Sequence, residues 1–85
     1  MKVVLVTGSN SGFGLNGALA FARNGYRVYA TMRDQSKSNL LRDLAVDEGL
    51  EIRTETLDMS QPSTFNTCIS RIINESGGID VVVNN

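Results

Sequence analysis

Three glycines in the spacing G-x-x-x-G-x-G, Gly8, Gly12 and Gly14, join an aliphatic run to a helical stripe, and that junction limits what the chain can fold into. Val3-Val4-Leu5-Val6 reads as a short buried strand. Leu15, Ala18, Leu19 and Ala22 recur at i, i+3, i+4 and i+7, one face of an amphipathic helix. A strand, a glycine-rich turn and a helix in that order make an anion cradle, because the turn exposes backbone N–H groups. The first helical turn adds unpaired donors and a partial positive charge. Gly8 permits the tight bend out of the strand, and Gly12 lets the backbone approach a pyrophosphate without a Cβ in the way. Gly14 lets the helix lie close to the sheet. The pattern points to a nucleotide cofactor held by Gly8, Ser9, Asn10, Ser11, Gly12, Phe13 and Gly14. The bland alternative is a set of turn glycines with Ser9, Asn10 or Ser11 as a helix cap, a role compatible with phosphate contact.

The rest of the chain repeats the alternation. Asn24-Gly25 stops the first helix, and Arg27–Met32 is rich in strand formers. A polar stretch, Arg33 to Ser38, leads into a second helix with Leu40, Leu41, Leu44 and Ala45 on one face, ending near Gly49. Glu51 to Leu57 alternates as a third strand, with charges that suit an edge. Ser60 is expected to cap a third helix, with Pro62 in its first turn and Phe65, Ile69, Ile72 and Ile73 at helical spacing. Gly77-Gly78 ends it, and Ile79 to Asn85 reads as a fourth strand. Strands alternating with helices imply a parallel α/β sheet in a single domain, residues 1–85.

Composition excludes several classes. At 85 residues, 41% hydrophobic and 20% charged, the chain is an ordinary globular domain and not a disordered one. A formal net charge of -1 with both signs spread along the chain argues against nucleic acid or an anionic membrane as partner. No apolar run approaches the ~20 residues that span a bilayer. The first strand begins within two residues of Met1, so no signal peptide is expected. A single cysteine, Cys68, and no histidine leave neither an intrachain disulfide nor a zinc site in prospect, and cytoplasm is the expected compartment. Cys68 is expected to pack beside its helix face as an inert thiol, and Tyr29 to belong to the core.

The glycine spacing, preceded by Thr7, resembles the T-G-x-x-x-G-x-G turn of the short-chain dehydrogenase/reductase family. Leu57-Asp58-Met59 resembles that family's segment after the third strand, whose aspartate meets the adenine ring. Asp80-Val81-Val82-Val83-Asn84-Asn85 resembles its fourth strand, which closes in Asn-Asn-Ala-Gly. Val28 to Asp34 is similar to the same stretch of the hydroxysteroid and retinol dehydrogenase branch. The resemblance implies a Rossmann-type doubly wound sheet with strand order 3-2-1-4 and the cofactor at the switch between strands 1 and 4. It also implies cofactor contacts from Asp58, Met59, Asn84 and Asn85. Asp58 serves either that role or as a cap, and the two asparagines serve either the cofactor or the tie between strands.

The family's chemistry uses a serine and a Tyr-x-x-x-Lys pair, in a part that these 85 residues do not match. The lysines here are Lys2 and Lys37, and Arg33 stands four residues before Lys37, so no catalytic residue is assigned. The resemblance therefore implies the N-terminal part of an oxidoreductase acting on a carbonyl or alcohol substrate. A non-catalytic dinucleotide-binding module is the alternative, and a regulator or epimerase on the same fold is disfavoured by the glycine spacing. An acid at the end of the second strand would select NAD. In this register that position falls on Thr31, while Arg33 two residues on can fork onto a 2′-phosphate, which favours NADP over NAD. Asp34 is the counter-argument, being able to pair with Arg33 or turn to the ribose. Half a doubly wound sheet also predicts a bare apolar edge at Val81–Val83 and self-association of the isolated chain.

Overall fold

The computed structural model describes residues 1–85. The elements run β1 (Val3–Val6), α1 (Gly12–Arg23), β2 (Arg27–Met32), a short 3-10 turn (Gln35–Lys37), α2 (Asn39–Asp47), β3 (Ile52–Thr56), α3 (Pro62–Ser76) and β4 (Val81–Val83). All strands pair in parallel in the order β3-β2-β1-β4, the order the sequence predicts. No helix is long and apolar enough to cross a membrane.

β1 is purely aliphatic because it is flanked by strands and covered on both faces; all its residues are buried. Strand alternation divides the core. Val4 and Val6 of β1 join Val28, Ala30 and Met32 of β2 on the face covered by α1 and α2, where Leu15, Ala18, Leu19 and Leu41 close the cluster. Val3, Leu5 and Tyr29 point the other way and meet Leu57, Cys68 and Ile72 beneath α3. Tyr29 is a core residue as expected, its hydroxyl 3.0 Å from Glu75 Oε2 and 2.8 Å from Ser76 Oγ.

Several expectations need correction. Leu40 is 54% exposed; the buried stripe of α2 is Leu41 and Ala45, with Leu44 half-buried beside them. Leu40 stands about 100° around the helix from Leu41, off the seam. On α3 the buried centre is Cys68 and Ile72, while Phe65 and Ile73 remain 43% and 48% exposed. That helix covers its face alone, with no second helix against its flanks. Ser60 is not the cap of α3; the cap position is Gln61, with Pro62 first in the helix. Ser60 instead turns back, donating its N–H and hydroxyl to Asp58 Oδ1 at 3.0 and 2.7 Å. β4 is shorter than expected, so Asn84 and Asn85 follow the strand and do not belong to it.

Candidate functional site

The turn after β1 is built by backbone geometry. Gly8 and Gly12 have φ of +61° and +59°, the left-handed region that side chains rarely tolerate. A Cβ on Gly14 would collide with the Gly8 carbonyl, so the start of α1 can press onto the turn only through glycine. A Cβ on Gly12 would meet nothing within 4 Å; the space in front of it is open. Ser11 occupies the cap position, yet its hydroxyl makes no bond to the helix. The first bond at this end of α1 runs from Leu15 N–H to the Ser11 carbonyl, 3.3 Å, which leaves the N–H groups of Gly12, Phe13 and Gly14 without helical partners. Those donors, the open space and the positive end of the helix fit a phosphate-bearing ligand.

Ser9 does not face that space. It is fully buried, its hydroxyl donates to the Val6 carbonyl at 2.7 Å, and its N–H donates to the Thr31 carbonyl at 2.9 Å. It braces the turn against β2, and both its donors are already engaged. Phe13 projects into solvent, leaving only its backbone N–H to serve.

The two asparagines stand across from the turn. Thr7 N–H donates to the Val83 carbonyl at 3.0 Å, and Thr7 Oγ1 accepts the Asn85 N–H at 2.9 Å. The Thr7 hydroxyl also lies 3.3 Å from Asn84 Oδ1. Asn85 Nδ2 donates to the Gly8 carbonyl at 3.2 Å. At the start of β4, Asp80 accepts the Val3 N–H at 2.8 Å and donates its own N–H to the Val3 carbonyl at 2.9 Å. Thr7 and Asp80 thus fix where the asparagines sit.

Between these groups lies a cleft of about 900 Å³ at the C-terminal ends of β1, β2 and β3. It brings together Gly8, Asn10, Arg33, Asp58, Met59, Asn84 and Asn85 from the sequence-predicted set. Ser9, Ser11, Gly12, Phe13 and Gly14 do not line it; apart from Ser9 they form the helix mouth beside it. The sequence-predicted set lacks Thr7, Thr31, Met32, Asp34, Lys37, Leu57 and Ser60 of this lining. Lys37 had a signal, a second cation one short turn after Arg33. Neither cation takes part in an ion pair.

The acids are engaged differently. Asp34 Oδ1 accepts the Ser36 hydroxyl at 2.8 Å and its N–H at 3.0 Å, and these bonds hold the carboxyl below its ordinary range. Asp58 is lowered in the same way by Ser60, with a smaller contribution from the Arg33 charge. Asp58 therefore closes a turn before α3 while still lining the cleft. Thr31 is buried on the same side of β2 as Tyr29, its hydroxyl has no hydrogen-bond partner, and it is one of the residues lining the cleft. A smaller hollow of about 470 Å³ along the free edge of β3, between Arg42 and Arg71, contains none of the turn residues.

The chain is 37% identical over 84 residues to an uncharacterized oxidoreductase of Myxococcus xanthus, covering 99% of this chain and 33% of that one. It is 34% identical to a 7alpha-hydroxysteroid dehydrogenase of Paraclostridium sordellii, covering 99% and 32%. Among solved structures, a metagenomic short-chain oxidoreductase in complex with NADP superposes with a TM-score of 0.90 at 30% identity, covering 99% and 38%. The chain thus spans about a third of the length of the curated relatives it matches. The sequence profile of the short chain dehydrogenases matches residues 2–85, and with the parallel 3-2-1-4 sheet and its glycine turn the chain belongs to that family.

Proposed function

We propose that the chain is the coenzyme-holding part of an NADP(H)-dependent oxidoreductase that interconverts a carbonyl and an alcohol. The observation that carries this reading is the cleft, with free N–H groups of the glycine turn at its mouth and two unpaired cations, Arg33 and Lys37, on its lining. The relative crystallised with NADP supports it. In this reading the amides of residues 12–14 hold the pyrophosphate, and Asn10 lines the path between the phosphates and the ribose. Arg33 forks onto the 2′-phosphate, and Asp58 and Met59 flank the adenine. Asn84 and Asn85, held by Thr7, form the opposite lip. The bound dinucleotide supplies hydride chemistry; these residues bind and orient it.

A charge-assisted bond of roughly 1.5–3 kcal/mol from Arg33 corresponds to about a 10–100-fold preference for the phosphorylated nucleotide. Calorimetric titration of the full chain with NADP and NAD tests this. Tighter NADP binding by that margin supports the assignment, equal binding defeats the NADP preference, and binding of neither defeats the dinucleotide reading. The alternative reading is a dinucleotide-binding module without catalysis of its own. Reduction of simple aldehydes and ketones by the chain with NADPH would exclude it. The reading places the protein in the reducing cytoplasm, with a second copy of the chain covering the bare edge of β4.

A further inference from the structure

The wall of the cleft that follows β3 is a small closed turn. The Asp58 carbonyl accepts the Gln61 N–H at 2.8 Å, and Asp58 Oδ1 accepts both donors of Ser60, so the segment from Asp58 to Gln61 is bonded to itself. Met59 stands on the outside of that turn, 74% exposed. One tie to the rest of the molecule comes from β2. The Leu57 N–H donates to the Met32 carbonyl at 3.0 Å, closing the ladder between β2 and β3, and the Leu57 side chain is buried. The other tie comes from α3. The Thr64 hydroxyl, in the first turn of that helix, accepts the Asp58 N–H at 2.8 Å. Its own proton has two carbonyls in reach, Asp58 at 3.0 Å and Gln61 at 2.8 Å. No other side chain of α3 bonds to Asp58, Met59 or Ser60.

The Asp58 N–H has left the sheet without entering the helix. A half-buried N–H in such a place needs an acceptor, and Thr64 supplies it. Because the turn is closed within itself, its placement depends on its two ties. Leu57 acts as the hinge, and Thr64 sets the angle. Thr64 lines the smaller hollow along β3 and does not line the cleft, so it reaches the cleft only through Asp58. We infer that Thr64 is a positioning residue for the base end of the coenzyme. Its hydroxyl holds the Asp58–Met59 wall where the adenine lies against it, without touching the ligand. This rests on the proposed dinucleotide site and deepens it, since it assigns the placement of one wall to a side chain outside the cleft. Without the hydroxyl the turn takes other orientations, and the apparent affinity falls with the fraction of chains whose wall is in place.

The test is calorimetric titration of the full chain with NADP, joined to NMR of isotope-labelled methionine methyl groups. Met59 reports on the wall, and Met1, exposed at the other end of the strands, is the control. Thr64→Val keeps the shape of the side chain and removes its hydrogen bonds. It weakens NADP about threefold to tenfold, the range for one neutral hydrogen bond. At saturating NADP the ring current of the adenine displaces the Met59 methyl signal of the parent, and the displacement is smaller in the variant. A merely structural loss of helix stability would leave the signal of the saturated complex where it was. Thr64→Ser restores the hydroxyl and returns both affinity and displacement to the parent values. Thr64→Ala repeats the valine result with a residue that favours the helix, which guards against a folding defect in the valine variant. Parental affinity in the valine and alanine variants, an unchanged Met59 displacement, or no rescue by serine overturns the inference while the dinucleotide site stands. So does a parent that binds NADP without moving Met59, because the base then lies elsewhere. If the parent does not bind NADP, the dinucleotide site fails and takes this inference with it.

Discussion

The two faces of the sheet are unequally closed. On one, α1 and α2 lie side by side over Val4, Val6, Val28, Ala30 and Met32, and the cluster is sealed from β1 out to Leu41. On the other, α3 alone covers Val3, Leu5 and Tyr29, through Cys68 and Ile72. Beyond it Val82 is 59% exposed on the bare side of β4. The glycine turn grows out of β1 straight into α1, so the mouth of that helix is seated on the closed face. The opposite lip, Asn84 and Asn85, follows an edge strand and is held there by polar ties from Thr7 and Asp80. One half of the candidate site is fixed by packing and the other by a handful of hydrogen bonds.

This asymmetry is open to direct attack by matched truncations, Ile72→Ala under α3 and Leu41→Ala under α2. Both side chains are completely buried, and a large-to-small change of this kind costs about 2–5 kcal/mol. Leu41 shares its cluster with α1, which stays in place when α2 is weakened. Ile72 has no such neighbour, so its loss falls at the upper end of the range and removes the only lid on its face. Urea denaturation should show Ile72→Ala the less stable by more than about 1 kcal/mol. Equal losses would mean that the open face is as well supported as the closed one.

How much of this the sequence discloses depends on what kind of contact fixes each feature. The alternation of strands and helices, the left-handed bend at Gly8 and the close approach at Gly14 were legible because they rest on local chemistry, while the strand order came from the family resemblance. A run of four aliphatics, a glycine spacing and a helical stripe each carry their own physical constraint. The errors fall where a residue's surroundings come from elsewhere in the chain. Leu40, Phe65 and Ile73 have the apolar character of buried positions, but burial requires a partner, and the periodicity does not say how many helices cover a face. Ser9 reads as a turn hydroxyl; only the neighbouring β2 reveals that its N–H is taken by Thr31. Strand alternation, set by the register with β1, turns Thr31 to the α3 side, and its burial there was not readable from its own segment. Asp34 and Asp58 each precede a serine by two residues, so their turns were readable as Asp-x-Ser.

The bare edge yields a second, smaller effect. The open side of β4 offers unpaired backbone groups beside an exposed valine, the arrangement that invites another strand. At 10–100 μM the chain should run as a dimer or larger species by light scattering. Val82→Lys, which puts a charge on that edge, should return it to a monomer, with thermal stability changed by no more than about 0.5 kcal/mol for an exposed position. A wild-type monomer at these concentrations would show that the open face tolerates water without a partner.

A third effect probes the interior of the thinner face through its one thiol. Burial pushes the Cys68 thiol up to about 11, with the Glu55 charge adding to the rise and Arg71 opposing it. The folded chain therefore keeps a proton that the unfolded chain loses from about pH 8.5–9 upward, so stability falls as pH rises through that window toward 11 and is unaffected below it. At pH 10 the loss is about 1.4–2 kcal/mol if α3 excludes water. Cys68→Ala, compared with the parent at pH 8 and pH 10, isolates this contribution from the rest of the chain. Iodoacetamide should label the folded parent slowly at pH 8 and rapidly only in denaturant. If labelling is fast in the folded chain and the pH 8–10 difference vanishes, α3 opens readily. The contrast between the two faces is then one of dynamics as well as of coverage.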